Sequence, residues 1–189
     1  MGYPDMMRDI MAQARREDLA ALRRALEDRS IIDRATGLYS RDYFNLRLDE
    51  EMTRSRMYGK NLSLILIDAG LSQHDGNGGE DRTTEKTVQL IAGFVGDCLK
   101  DTVDLAFAYD AGKFAVILPE ANMYEALMTA DHIRETIIQE ALPGVSPQAG
   151  IAQFRDHESV GELIGAAEEA LNGHVGSPTP LPAASRQSR

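Results

Sequence analysis

The chain has 189 residues and a formal net charge of −10, with a hydrophobic fraction of 43% and a charged fraction of 26%. This balance is typical of a folded globular domain and excludes wholesale disorder. Its one cysteine, Cys98, excludes an internal disulfide framework and a zinc site of the CxxC type. The acidic charge and the absence of tryptophan disfavour nucleic-acid binding, both to phosphates and by base stacking.

The sequence shows no targeting or membrane signal. Its apolar runs are much shorter than the ~20 residues that a membrane span needs. The N-terminal residues include early acidic side chains and lack the apolar core of a signal peptide. We therefore expect a cytoplasmic protein.

Residues 1–32 have the pattern of a helix. The segment from Asp5 to Ile32 contains no proline or glycine, and Leu19, Leu22 and Leu26 lie on one face at helical spacing. These leucines must pack against their own domain or against a second copy in a short coiled coil. The sequence leaves both arrangements open, and we predict an N-terminal helix that docks or dimerises.

Hydrophobic spacing after Gly37 predicts an alternation of helices and strands. The predicted helices cover about 41–58, 84–99 and 123–141, with a last one from the Ser159–Glu162 capping box to about residue 171; the predicted strands cover 62–68, 103–109, 114–118 and 145–154. The four residues Asp110 to Lys113 are predicted as a hairpin turn. This order favours an α+β fold in which helices cover a mainly antiparallel sheet. The small, polar, proline-rich tail over 176–189 is predicted to be disordered.

Five segments between Asp33 and Val175 occur in one characteristic order: DRATGLYSRDYF, LSLILID, LAFAYDAGKFAVILPE, AGIAQF and GAAEEALNGHV. In order and spacing they resemble the conserved segments of GGDEF domains, the diguanylate cyclases. The resemblance implies a nucleotide-cyclase-like domain over 33–175 with a ferredoxin-like core. It also implies that the preceding helix is a signalling helix.

The resemblance implies a chemistry as well. Diguanylate cyclases condense two GTP molecules into cyclic di-GMP across a dimer, using magnesium held between carboxylates and backbone amides of a glycine turn close to the phosphates. The five signature positions correspond here to Asp110, Ala111, Gly112, Lys113 and Phe114. Only Phe114, a packing residue, is retained. Gly112 and Lys113 replace two carboxylates by one cation, which opposes a divalent metal ion.

Three residues are candidate remnants of a nucleotide site. Asp68 matches the metal-binding aspartate of the first core strand, although the second acid of that D-x-D pair is replaced by Gly70. Asp68 is thus either a metal ligand or a turn residue. Glu85 either contacts a guanine or lies in a first helical turn, where the helix dipole favours an acid. Lys113 is either solvated or a built-in cation that contacts Asp68 or a phosphate.

The departures from the signature favour a degenerate GGDEF domain without catalytic activity. In this interpretation the chain is a signalling or protein-interaction module that binds a partner or a second copy through the N-terminal helix. One alternative is a nucleotide sensor that binds GTP or cyclic di-GMP in a remodelled pocket. Another is an active diguanylate cyclase with an unusual site, the only case in which magnesium is expected as a cofactor.

Overall fold

A computed structural model describes residues 31–71, 81–99, 103–155 and 159–173. The leucines Leu19, Leu22 and Leu26 and the tail over 176–189 lie outside these residues, so their predicted roles stay predictions. The predicted N-terminal helix does not extend to its last residue. Ile32 forms an isolated β-bridge with Tyr39 instead, because the chain turns back on itself at Gly37.

The described residues form four helices and four strands. In chain order they are α1 (Arg41–Tyr58), β1 (Leu62–Asp68), α2 (Asp81–Asp97), β2 (Leu105–Asp110), β3 (Lys113–Pro119), α3 (Met123–Gln139), β4 (Gln148–Gln153) and α4 (Val160–Gly173). None of these helices is long and apolar enough to cross a membrane. The helices and strands predicted after Gly37 are all present, with bounds that differ by a few residues.

The strands form one sheet in the order β2-β3-β1-β4, and every neighbouring pair is antiparallel. Alternation along β1 sends Ile65 and Ile67 to one face, where α2 and α3 pack. Leu64 and Leu66 point to the opposite face, beneath α1 and α4. The predicted α+β fold, with helices covering an antiparallel sheet, is confirmed.

Local sequence signals set the helix ends. The Ser40 hydroxyl accepts a hydrogen bond from the Tyr43 amide at 3.3 Å and begins α1. Gly59 ends the same helix in the left-handed conformation, with a φ of 60°. At the start of α4, the Ser159 amide donates to the Glu162 carboxylate at 2.7 Å, and the Glu162 amide donates to the Ser159 hydroxyl at 3.3 Å. The predicted capping box is therefore complete.

The hairpin between β2 and β3 is tighter than the sequence predicts. Asp110 and Lys113 pair across the two strands, so only Ala111 and Gly112 form the turn. Gly112 has a φ of +68°, a conformation that favours glycine over other residues. The correction matters because it places Lys113 on a strand, where its side chain has a defined direction.

The two outer edges of the sheet differ. The segment before α1 covers the edge of β2, where the Tyr39 amide donates to the Ala106 carbonyl at 3.2 Å and the Ala108 amide donates to the Tyr39 carbonyl at 2.8 Å. The aromatic rings of Tyr39 and Phe107 also pack together, with centroids 5.5 Å apart. Within the described ranges, no strand lies against the outer edge of β4.

Helix α4 lies so close to β4 that one glycine is required between them. A Cβ added to Gly150 would lie 2.2 Å from the Ala167 carbonyl oxygen and 2.3 Å from the Leu171 amide nitrogen. We predict that Gly150→Ala lowers the free energy of unfolding by about 1–3 kcal/mol or more, because backbone atoms must move apart. The measurement is chemical denaturation of the purified protein.

Gly165→Ala, in helix α4, is the matched control for Gly150→Ala in β4. Its added Cβ would meet no atom within 4 Å. Replacing a glycine inside a helix should raise the free energy of unfolding by roughly 0.5–1 kcal/mol. Equal effects of the two substitutions would contradict the close contact at Gly150.

Candidate functional site

Three segments meet at one end of the sheet. They are the residues after β1, the β2–β3 turn and the loop before β4. The Ala69 amide donates to the Gly112 carbonyl at 3.0 Å, and the Ser146 amide donates to the Ala69 carbonyl at 3.0 Å. These backbone hydrogen bonds hold Asp68, the hairpin and the 144–146 loop in fixed relation, and so define the candidate site.

Both carboxylate oxygens of Asp68 are engaged by the chain itself. Oδ1 accepts a hydrogen bond from the Gly70 amide at 2.8 Å. Oδ2 lies 3.5 Å from Lys113 Nζ, and the side chains of Asp68 and Lys113 are 36% and 41% exposed. Asp68 therefore accepts a hydrogen bond within the turn that follows β1, and Lys113 is a cation in contact with Asp68. The sequence left both arrangements open.

Gly70 leaves no space for the second acid of a D-x-D pair. Its φ is +58°, and a Cβ built on it would lie 2.1 Å from the Ser146 carbonyl oxygen. A contact this short with backbone cannot be relieved by a side-chain rotation. An aspartate at this position would therefore require the 144–146 loop to move.

A side chain of the hairpin turn binds one of the turn's own backbone amides. The Ala111 amide donates to Oδ1 of Asp110 at 2.8 Å, so this amide is already occupied. A Cβ on Gly112 would lie 2.9 Å from Cδ1 of Leu71. Phe114, the retained signature residue, is 1% exposed and packs in the core between the sheet, α2 and α3. The turn is thus organised by contacts within the chain.

Among the described residues, no hydrogen bond or ion pair joins Glu85 to the site around Asp68 and Lys113. It lies in the second turn of α2, since the helix begins at Asp81 rather than near Thr84. The first-turn role suggested by the sequence is therefore wrong. Its side chain is exposed.

A second cluster beside the hairpin was not predicted from the sequence. The Arg41 guanidinium stacks 3.4 Å from the ring centroid of Tyr109, and the Tyr109 hydroxyl donates to Glu168 at 2.8 Å. Burial, together with this bond to Glu168, raises the pKa of Tyr109 to about 12, although the positive charge of Arg41 opposes the shift. Spacing could not reveal the cluster, because its members come from α1, β2 and α4.

A small open cavity adjoins this cluster. Its volume is about 80 Å³, far below the roughly 300–1,000 Å³ of typical ligand pockets. Polar and apolar side chains from the sheet and α4 line it: Leu66, Ile67, Tyr109, Lys113, Glu168, Leu171 and Asn172. This volume is too small to enclose a nucleotide.

The magnesium ion implied by the sequence resemblance does not fit this arrangement. Asp68 is already bound to Lys113 and to the Gly70 amide. Over residues 31–71, 81–99, 103–155 and 159–173, no three histidine, cysteine or carboxylate side chains come together as a candidate metal site. Hard cations in proteins are held mainly by several oxygen ligands. Among the described residues this site offers two carboxylates, Asp68 and Asp110, and each already accepts a hydrogen bond from a backbone amide.

Comparison with protein families assigns the domain. The family described as diguanylate cyclase, GGDEF domain, matches residues 30–174. The chain belongs to the GGDEF domain family. A curated relative, diguanylate cyclase DosC of Escherichia coli K12, is 25% identical over 147 residues. The match covers 74% of this chain but 32% of DosC, so the chain spans about a third of that relative's length.

Solved GGDEF structures share the fold. Diguanylate cyclase SiaD of Pseudomonas aeruginosa, solved in complex with its activator SiaC, superposes with a TM-score of 0.69 at 22% identity, covering 90% of this chain and 70% of SiaD. The coiled coil and GGDEF domain of DgcB from Caulobacter crescentus, in complex with c-di-GMP, gives 0.69 at 20% identity, covering 89% and 92%. The DgcB GGDEF domain, also with c-di-GMP, gives 0.68 at 20% identity, covering 76% and 89%.

The half-exposed Lys113–Asp68 pair should contribute little to stability. We predict that Lys113→Ser lowers the free energy of unfolding by no more than ~0.5 kcal/mol, as for ordinary surface sites. Lys113→Glu should cost more, because it places a second carboxylate opposite Asp68, and Mn²⁺ should recover part of that loss. Thermal denaturation with and without Mn²⁺ measures both effects.

Phe114→Ala is the contrasting variant in the same hairpin and should cost about 3–5 kcal/mol, because its ring is buried. Asp110→Ser should stay within ~0.5 kcal/mol. If Lys113→Ser unfolds the protein, the lysine is a structural cation and the surface interpretation is wrong.

Proposed function

We propose that this chain is a catalytically inactive GGDEF domain that works as a signalling and protein-interaction module. The observation that carries the proposal is the occupation of both Asp68 oxygens, one by the Gly70 amide and the other by Lys113. Phosphoryl chemistry on GTP needs metal ions to neutralise the developing charge. A lysine cation 3.5 Å from the one matching carboxylate opposes a metal ion at that position.

The phosphate side of the site supports the same proposal. The Asp110 carboxylate binds the Ala111 amide and also places a negative charge at the turn. A glycine turn that binds phosphate needs free backbone amides and no nearby anion. The Ser146 carbonyl above Gly70 excludes a second carboxylate without rearrangement. Three separate parts of a cyclase site are thus replaced by contacts within the chain.

The N-terminal residues are proposed to pair as a coiled coil or to dock on a partner. The DgcB alignment covers 76% of this chain for the GGDEF domain alone and 89% when the coiled coil is included. This likeness and the helical leucine spacing together support a paired helix as the interaction element.

A nucleotide sensor is the second candidate function. It is favoured by the exposure of Lys113, whose 41% accessible side chain could exchange Asp68 for a phosphate oxygen. The DgcB structures contain c-di-GMP, which makes this compound and GTP the ligands to test. Calorimetric titration with each nucleotide decides between a sensor and a module that binds proteins alone.

We predict no cyclic di-GMP formation by the purified protein with GTP and Mg²⁺ or Mn²⁺. The reason is the replacement of the metal site by the Lys113–Asp68 pair. Chromatography of the nucleotide products measures this, with an active diguanylate cyclase as the positive control. Product that exceeds the no-enzyme background and disappears in Asp68→Asn would contradict the proposal.

We also predict that deleting residues 1–30 lowers the oligomeric state while leaving a folded domain, because the described sheet and its covering helices begin after this segment. Light scattering gives the mass, and circular dichroism tests the fold. Replacing Leu19, Leu22 and Leu26 together by serine should have the same effect on the mass. A full-length chain that is monomeric and binds nothing through these leucines would contradict the assembly.

A further inference from the structure

The small cavity between the β2–β3 hairpin and α4 adjoins the end of that helix. Leu171 and Asn172, both in the last turn of α4, line the cavity together with the buried side chains of Leu66 and Ile67. The helix ends at Gly173, one residue after Asn172. Residues 174–189 therefore begin directly beside this cavity.

One buried donor near the cavity lacks an acceptor in the part of the chain that the structure describes. The Nη1 atom of Arg41 is buried there and makes no hydrogen bond, although its guanidinium lies over the ring of Tyr109, which lines the cavity. Buried donors in folded proteins nearly always have a partner. A lysine ammonium carries three donors, so Lys113 can bind a further acceptor while it stays paired with Asp68.

The residues shortly after α4 have the composition to supply such acceptors. Residues 177–182 have the sequence SPTPLP, which contains no charged side chain. Proline has no N–H group, so this stretch offers mainly carbonyl oxygens. Its extended polyproline conformation leaves those oxygens free of internal hydrogen bonds. Leu181 and the proline rings are apolar, as are Leu66 and Leu171 in the cavity.

These residues are within reach of the cavity. Glu168 accepts the hydrogen bond of Tyr109 and lies about 7.5 Å along the helix axis from Gly173. Residues 174–177 span up to ~13 Å when extended. Gly173 and Gly176 lie at points where the chain must turn back, and glycine accepts the backbone conformations of a tight turn.

We propose that residues 177–182 dock in this cavity of their own domain. Their carbonyl oxygens would accept hydrogen bonds from Arg41 and Lys113, and Leu181 would pack near Leu66. Composition predicts disorder for the tail as an isolated chain, and docking would order this part of it. The inference goes beyond the proposed function, since the docked segment would cover Lys113 and keep anionic ligands away from it.

The chemistry of the cavity disfavours two other occupants. A phosphate would meet the carboxylates of Asp68 and Glu168 on either side of Lys113, and like charges repel at such distances. The predicted N-terminal helix would use its carbonyl oxygens in its own hydrogen bonds. An uncharged segment rich in acceptors avoids both difficulties.

The test is the amide order parameter of Thr179 and Leu181 in the full chain, measured by nitrogen-15 NMR relaxation. We expect values near the ~0.85 of a rigid backbone, and values below about 0.6 in Arg41→Met, which keeps the aliphatic contact but removes the donor. Arg47→Met is the matched control. Arg47 lies on the same helix and pairs with Glu50 and Glu51, so this change should leave both order parameters as they are.

A second variant changes the tail alone and leaves the described sheet and helices intact. Replacing Pro178, Pro180 and Pro182 together by glycine should lower the same order parameters and shift the amide signals of Gly112 and Lys113. Arg186→Ser, in the same tail but outside the docking segment, should do neither. This variant keeps the test decisive if Arg41→Met does not fold, which circular dichroism would show.

Four outcomes would overturn the inference. Order parameters below about 0.6 in the unaltered chain would show that the segment does not dock. Unchanged values in Arg41→Met would leave water as the partner of the buried donor, and equal losses in Arg41→Met and Arg47→Met would reflect charge alone. Ordering that depends on protein concentration would assign the cavity to the tail of a second copy. None of these measurements involves cyclic di-GMP formation, so a failure here is distinct from a failure of the proposed function.

Discussion

The register of β1 against β3 determines the arrangement of the candidate site. In this antiparallel pair, Leu64 lies opposite Ile117 and Ile67 opposite Phe114, which places Asp68 opposite Lys113 at the end of the ladder. Because side chains alternate between faces, a shift of one residue would turn the apolar side chains of the shifted strand to the opposite face of the sheet. Burial of those apolar side chains fixes the register, and the register in turn fixes the ion pair.

The ion pair is therefore a consequence of the core rather than a support for it. Exposed pairs of this kind contribute about 0–1 kcal/mol, whereas burying one large apolar side chain contributes roughly 1.5–3 kcal/mol. The importance of Lys113 is electrostatic: it supplies a covalently attached cation where a cyclase needs an exchangeable divalent one. Asp110 supplies an attached carboxylate in the same way, at the turn where phosphate would otherwise accept a backbone hydrogen bond. Both side chains are held by contacts within the chain, Lys113 to Asp68 and Asp110 to the Ala111 amide.

Much of this molecule could be predicted from local patterns. The periodicity of apolar residues gave the elements, and Ser40, Gly59 and the Ser159–Glu162 pair gave the helix ends, because each signal acts within a few residues. The obstruction of Gly70 by Ser146 could not be predicted, because 76 positions of sequence separate the two residues. The stacking of Arg41 on Tyr109 and the bond to Glu168 depend in the same way on how α1, β2 and α4 converge. Tertiary contacts of this kind have no signature in spacing.

The attachment of Tyr39 to β2 has a mechanical consequence. Two backbone hydrogen bonds join Tyr39 to Ala106 and Ala108, and the Ser40 amide also binds the Ile31 carbonyl. The chain that enters the domain is thus fastened to the strand that leads into the Asp110–Lys113 hairpin. A twist or pull applied before Ile31 would be delivered as a force along β2, since a hydrogen-bonded strand moves with its neighbour more readily than it bends. A displacement of the chain before Ile31 would therefore reach β2 first, and through it the turn between Asp110 and Lys113.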